Sequence, residues 1–157
     1  MGRMEKDLHG HLWLVVVFVL GVWACGHHGR IGSEQVINVY FDDKRFPVEA
    51  AETIAQRGIK GPIFSLDYWG GYLIYRLYPE TRVVADDRHD LYGDQFFKDF
   101  LKVVLVQPGW DETLDKLHVD WVLMPVDSPL ANVLRLQAEW KSEYEDKAAV
   151  LFQRVGK

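Results

Sequence analysis

Leu12 to Cys25 reads LWLVVVFVLGVWAC, fourteen residues without a charge in a chain of 157. At about 1.5 Å per residue such a helix spans roughly 21 Å, short of a hydrocarbon core of about 30 Å. Adding Leu8 to His11 before it and Gly26 after it brings the run nearer to the roughly 17 to 20 residues that a crossing needs, with Trp13 and Trp23 where interfacial aromatics sit. The first reading is therefore one membrane helix over about 8–26. Residues 1–33 then form helix and linker, and 34–157 a single soluble domain. Arg3 and Lys6 precede the helix and Arg30 follows it, an imbalance that keeps the N-terminus inside and sends the domain out. The expected location is the inner membrane, single-pass, with the domain periplasmic.

Other readings of this segment stand beside the first. A basic start, a short apolar stretch and small residues near its end also describe a cleaved signal peptide over Met1 to Gly26. Val22-Trp23-Ala24-Cys25 has the outline of a bacterial lipobox, which makes Cys25 a candidate lipidation site, although Trp23 stands where a small residue is usual. A buried strand or helix of a cytosolic domain is the remaining alternative.

Three of the 18 basic residues and two of the 23 acidic ones lie before Glu34, so the acidity belongs to the soluble part, which has 15 basic and 21 acidic residues. That balance argues against a nucleic-acid partner. Cys25 is the one cysteine, which excludes an intrachain disulfide and a cysteine-based zinc site. Apolar residues make up 48% of the chain, enough to close a core rather than leave a disordered tail.

From Glu34 onward no linker or repeat interrupts the sequence. Pro47 opens a helix in which Val48, Ala51, Ile54 and Ala55 share a face, and Gly58 ends it. Ile63 to Leu66 is a short buried strand, Trp69-Gly70-Gly71 a turn, Tyr72 to Tyr78 a helix stopped by Pro79, and Arg82 to Ala85 the next strand. Phe96, Phe97, Phe100, Leu101, Val104 and Leu105 fall on one helical face. Pro108-Gly109 breaks that helix, and Asp111 to Leu117 forms another. Asp120 to Met124 is a third strand. Ser128 as N-cap with Pro129 at the first helical position starts a helix to about Ala138. Lys141 to Tyr144 and Ala148 to Arg154 make a closing hairpin. Strand and helix in alternation predict an α/β fold, Rossmann-like, with a mostly parallel sheet, helices on both faces and an antiparallel C-terminal hairpin.

The densest polar cluster is Asp86, Asp87, Arg88, His89 and Asp90, at the carboxyl end of a predicted strand, where open α/β sheets place ligands. Its carboxylates suit a divalent ion or sugar hydroxyls, and Arg88 an anionic group. The competing reading is structural: Asp86 pairs with Arg88 and organises the loop. Asp67, Gly70 and Gly71 form a second constellation, in which glycines allow close backbone approach and a helix N-terminus can receive an anion. It matches no nucleotide-binding fingerprint. His27 and His28 point in different directions in any regular structure and have no third ligand nearby, so they read as linker and no metal site is expected. Serine context supports no hydrolase. With neither a nucleophile-base pair nor a cofactor motif, no cofactor and no catalytic residue are assigned.

Asp67-Tyr68-Trp69-Gly70-Gly71-Tyr72-Leu73-Ile74, Leu77-Tyr78-Pro79, Arg82-Val83, Asp86-Asp87-Arg88 and Leu91-Tyr92-Gly93, in that order, resemble a C-terminal segment of known proteins. Pro108-Gly109-Trp110, Asp120 to Leu123, Ser128-Pro129-Leu130, Trp140 and Tyr144-Glu145-Asp146 extend the likeness over about Phe46 to Arg154. Together they look like the exported α/β domain that follows the last membrane helix of multi-spanning bacterial glycosyltransferase-like proteins of the GT-C class, akin to protein mannosyltransferases and lipid A aminoarabinose transferases. The resemblance implies a polyprenyl-phosphate-linked sugar donor and acidic catalytic residues in an early external loop. At most one helix precedes the domain here, so no catalytic residue carries over. What it implies is an accessory role: contact with a multi-spanning membrane glycosyltransferase, a lipid-linked sugar or its acceptor, or cover for the catalytic core. Read from the residues themselves, the candidate binding positions are Asp67, Gly70, Gly71, Asp86, Asp87, Arg88 and Tyr92. An independent exported binding protein is the alternative.

Overall fold

The computed structural model describes residues 10–26, 30–31, 34–35 and 41–156. They fall in two compact units, Met1–Tyr40 and Phe41–Lys157. The first contains helix α1 (Gly10–Gly26) and a short antiparallel pair, β1 (Arg30–Ile31) and β2 (Glu34–Gln35). The large apolar side chains from Leu12 to Trp23 are all exposed, so α1 has no polar face. It has 17 residues, where a run over about 8–26 is expected from the sequence. Among the described residues no helix is long and apolar enough to cross a membrane. His27 and His28 lie outside the described residues, and nothing is described of the Cys25 side chain.

The second unit carries α2 (Val48–Gln56), β3 (Gly61–Ser65), α3 (Asp67–Leu77), β4 (Thr81–Val83), a 3-10 turn (His89–Leu91), α4 (Asp94–Val104), α5 (Trp110–Lys116), β5 (Trp121–Pro125), α6 (Pro129–Leu134), β6 (Trp140–Glu145) and β7 (Ala149–Arg154). The sheet order is β4-β3-β5-β7-β6. β4, β3 and β5 are parallel, while β7 runs antiparallel to both β5 and β6. This is the α/β architecture that the sequence predicts, closing hairpin included. β4 is three residues long at one edge, and β6 at the other edge carries a register shift between Ser142 and Tyr144.

Alternation along the strands builds two cores. Ile63, Leu123 and Leu151 join Ala51, Ile54, Trp69 and Leu73 of α2 and α3 on one face. Phe64, Val122, Met124, Val150 and Phe152 join Phe100, Leu114, Leu130 and Leu134 of α4 to α6 on the other. Strands buried on both sides read as continuous apolar runs for this reason. Local signals set most boundaries. Gly58, at φ +61, follows α2 where a left-handed residue ends the helix. The Ser128 hydroxyl accepts a hydrogen bond from the Ala131 N–H at 3.3 Å, capping α6 as expected.

Two expectations are corrected. Trp69, Gly70 and Gly71 lie inside α3 rather than in a turn, because the helix starts at Asp67 and its glycines serve packing instead of chain reversal. α6 ends at Leu134, short of Ala138. The Arg135 guanidinium donates to the Val126 carbonyl at 2.9 Å and pairs with Glu145 at 3.0 Å, and Leu136 stands almost fully exposed with no core to cover.

Candidate functional site

Chain order in the parallel part of the sheet reverses at β3. The chain passes from β3 out to β4, then returns across β3 to β5. Crevices in open α/β sheets form at the carboxyl ends of the two strands where order reverses. Here those ends lead into Asp67-Tyr68 after β3 and Asp127 after β5, with Asp86 following β4.

Asp86 is buried, and both oxygens of its carboxylate are engaged. Oδ1 accepts from the Arg88 backbone N–H at 2.9 Å and from Arg88 Nε at 3.1 Å, while Oδ2 accepts from Nε at 3.0 Å and Nη2 at 2.6 Å. The hydrogen bonds from Arg88 hold the Asp86 carboxyl below the usual carboxylate range, outweighing the upward push of burial. The Asp86 N–H donates to the Tyr92 hydroxyl at 3.2 Å, and Tyr92 stacks on Phe96 with ring centroids 5.0 Å apart. Burial pushes the Tyr92 phenol up. Three N–H donors of Arg88, the Nε–H shared between both oxygens, thus occupy most of the four lone-pair sites of this carboxylate, and the Nε/Nη2 edge of Arg88 is likewise spent. The pair acts as a clamp on its loop.

Gly70 explains where that clamp sits. A Cβ there would collide with the Ala85 carbonyl and lie 2.7 Å from Asp86 Cα and 2.8 Å from Asp86 Cβ. Helix α3 therefore packs directly on the backbone leaving β4, a closeness only glycine permits. Gly71 is different: its Cβ would meet only Asp87 Oδ1, at 3.8 Å.

A second polar link joins the two segments at the surface. His89 Nε2 lies 2.8 Å from Asp67 Oδ2, and Asp67 Oδ1 accepts from the Tyr68 N–H at 2.9 Å. His89 also packs on Phe97, with centroids 4.3 Å apart. Unlike Asp86, both members of this pair are accessible, which makes them available to a partner. Burial pushes the Tyr68 phenol up, Arg45 opposes that, and Asp67 and Asp127 reinforce it. Those four groups thus share one electrostatic neighbourhood.

Of the residues picked from the sequence, Asp67, Gly70, Gly71, Asp86, Asp87, Arg88 and Tyr92 come together around the ends of β3 and β4. Asp127 and Arg45 escaped sequence reasoning. The strand-end rule applied to β5 would have found Asp127; nothing local marks Arg45, which is fixed by its carbonyl accepting from Trp69 Nε1 at 2.9 Å. Among the described residues no group of three or more histidine, cysteine, aspartate or glutamate side chains is placed to hold a metal ion.

A separate cavity of about 660 Å³ lies between the start of α2 and the β6–β7 turn, lined by Lys44, Glu49, Asp146 and Lys147 among others. Beside it the Tyr144 hydroxyl donates to Asp146 Oδ2 at 2.8 Å, and burial raises the phenol above its ordinary range.

No protein-family model matches the sequence, and no curated protein does. The chain is similar in structure to the C-terminal globular domain of an oligosaccharyltransferase from Archaeoglobus fulgidus. The two are 12% identical, with a TM-score of 0.49 over 69% of this chain and 96% of that one.

Proposed function

We propose that this chain is a membrane-anchored, extracytoplasmic accessory domain of envelope glycosylation, without catalysis of its own, that contacts a multi-spanning membrane glycosyltransferase or its lipid-linked sugar or acceptor. One observation carries the reading: three of the segments that bear the sequence resemblance, those of Asp67 to Ile74, Asp86 to Arg88 and Leu91 to Gly93, meet at one place. Gly70 packs on the backbone at Asp86, Tyr92 accepts from Asp86, and His89 reaches Asp67. The buried Gly70–Asp86 contact holds these segments together, and the accessible Asp67–His89 pair is the part of the junction that a partner can reach. The buried Asp86 carboxylate, paired with Arg88, favours a structural role over acid-base chemistry at this position.

The anchor rests on α1, whose 17 residues span about 25 Å and carry no polar face. Local thinning and flanking aromatic residues accommodate a stretch a few ångströms short of the bilayer core.

The test is fractionation of the full chain with a C-terminal tag, followed by carbonate extraction, protease protection and photo-crosslinking from position 68. Carbonate-resistant protein with an external tag, crosslinked to a multi-spanning membrane protein, is the expected outcome. Soluble, processed protein would defeat the anchor and leave the independent exported binding protein. Palmitate labelling that disappears in Cys25→Ala would mark a lipoprotein instead.

A further inference from the structure

We infer that the domain docks on the lipid surface through the outer face of α3, with Phe41, Tyr75 and Tyr78 entering the boundary between headgroups and acyl chains. The inference rests on the anchor proposed above and adds which face of the domain that anchor turns to the bilayer. Tyrosines recur along α3 and its end at 68, 72, 75 and 78, spacings that put them on one helical stripe. Tyr72 is buried against Phe41 and Phe46, with ring centroids 4.5 and 5.5 Å apart, and Phe41 lies 6.0 Å from Tyr75. Tyr75 and Tyr78 are 74% and 71% exposed, and Phe41 and Tyr68 nearly half. Every exposed aromatic side chain among the described residues of the second unit belongs to this set. Exposed apolar residues scattered singly are ordinary, whereas a contiguous group marks a surface that something covers.

Composition selects lipid as the cover. A tyrosine at a bilayer surface buries its ring and leaves its hydroxyl among the headgroups, and the hydroxyls of Tyr75 and Tyr78 have no hydrogen-bond partner among the described residues. Nearby charges cancel. Arg76 pairs with Glu52 at 3.4 Å and Lys60 with Glu80 at 3.9 Å, while Asp42, Asp43, Lys44 and Arg45 after Phe41 sum to zero. The contact is therefore apolar and calls for no anionic lipid.

The tether places the patch. Residues 27–40 join α1 to Phe41, where the second unit begins, and the pairing of Arg30 with Gln35 turns the chain back on itself between them. The chain on either side of that pair, fully extended, reaches about 35 Å, and crossing the pair adds about 5 Å. A domain of this size is itself about 35 Å across. Only a tether pulled nearly straight would let an anchored domain carry Phe41 to its far side. Tyr68, about 15 Å along the helix from Tyr78, stays with the Asp67–His89 pair.

The experiment uses the full chain with Cys25→Ser in phosphatidylcholine nanodiscs, one chain per disc. A fluorescent NBD group is attached through Leu14→Cys, Tyr75→Cys or Leu136→Cys in turn, Leu136 following α6 on the other face of the sheet. Lipid carrying a doxyl group near the headgroup is expected to quench the labels at 14 and 75 and to spare the one at 136. Quenching at 14 alone overturns the docking and leaves the anchor standing. A label at 14 that stays in water overturns the anchor, and the docking falls with it. Equal quenching at 75 and 136 means that no face is preferred, and blue-shifted emission at 75 without lipid quenching means a protein contact; either overturns the inference. In the chain labelled at 75, Tyr78→Ser, or Phe41→Ser if that variant does not fold, should weaken the lipid contact about fivefold, the loss of one half-inserted ring. Quenching unchanged by the substitution, or dependent on added phosphatidylglycerol, overturns the aromatic basis of the docking.

Discussion

Replacing Gly70 by alanine places a methyl group where α3 rests on the segment after β4. To reach an ordinary separation of 3.4 Å from Asp86 Cα, the new Cβ would have to retreat about 0.7 Å, and further still from the Ala85 carbonyl. These are backbone or near-backbone atoms, and the Asp86–Arg88 clamp fixes them, so no flexible side chain can swing aside. Overpacking of a tight core costs about 1–3 kcal/mol, and this geometry sits at or above the top of that range. Alanine returns about 1 kcal/mol of helix propensity, which leaves a net loss of about 2–3 kcal/mol. At roughly 4 °C per kcal/mol for a unit of this size, the melting temperature should fall by about 10 °C. Gly71→Ala is the internal control: its methyl group finds ordinary contact at 3.8 Å, so propensity alone acts and stability rises by about 0.5–1 kcal/mol. Thermal and urea unfolding followed by near- and far-ultraviolet circular dichroism would read both. If Gly70→Ala is as stable as the parent, the close approach of α3 to Asp86 is wrong, and with it the convergence of the two motif segments.

Asp86 has a lowered carboxyl pKa in the folded protein, so the stability it contributes is present above the unfolded value of about 3.9 and is lost as pH falls below that toward the folded value. Asp86→Asn should therefore lower stability at neutral pH and flatten the acid limb of a stability-against-pH profile below about pH 4; an unchanged acid limb would refute the clamp. Ser128→Ala removes the cap bond to Ala131 and should cost about 1 kcal/mol, read by urea unfolding. Thr81→Val deletes the buried hydroxyl that donates to the Ile59 carbonyl at 2.6 Å and should cost about 1–2 kcal/mol in the same assay, because the carbonyl loses a partner it cannot replace with water.

Legibility in the sequence followed the range of the interaction that decides each feature. Ser128-Pro129 announced a helix start because the cap bond spans three residues. Asp86 and Arg88 could be paired on paper because two residues separate them. The apolar runs around Ile63-Phe64 and Val122-Leu123-Met124 read as strands because both sheet faces are covered. Gly70 was misread as part of a turn, since its low helix propensity is local while its packing partner, Asp86, lies across the sheet end. The Asp67–His89 link and the approach of Asp127 and Arg45 to Tyr68 have the same long-range origin: the order β4-β3-β5 sets the strand ends side by side, and the Trp69 indole holds the Arg45 carbonyl. That α1 forms a helix followed from composition, but its end points did not, because a uniformly apolar stretch contains no capping residue to fix them.

The sheet's two outer strands have a consequence for the life of the protein in a crowded compartment. An unpaired strand edge is a template on which another chain can add itself, and long flat edges seed aggregation. β4 offers only three residues, with Arg82 exposed at its centre, and β6 interrupts its own ladder at Glu143 while carrying Lys141 and Glu145 on the accessible rim. Neither edge presents a run of free backbone groups long enough to recruit a stranger. The most apolar sheet strands, β3, β5 and β7, stay inside, shielded from the self-association their composition would otherwise invite.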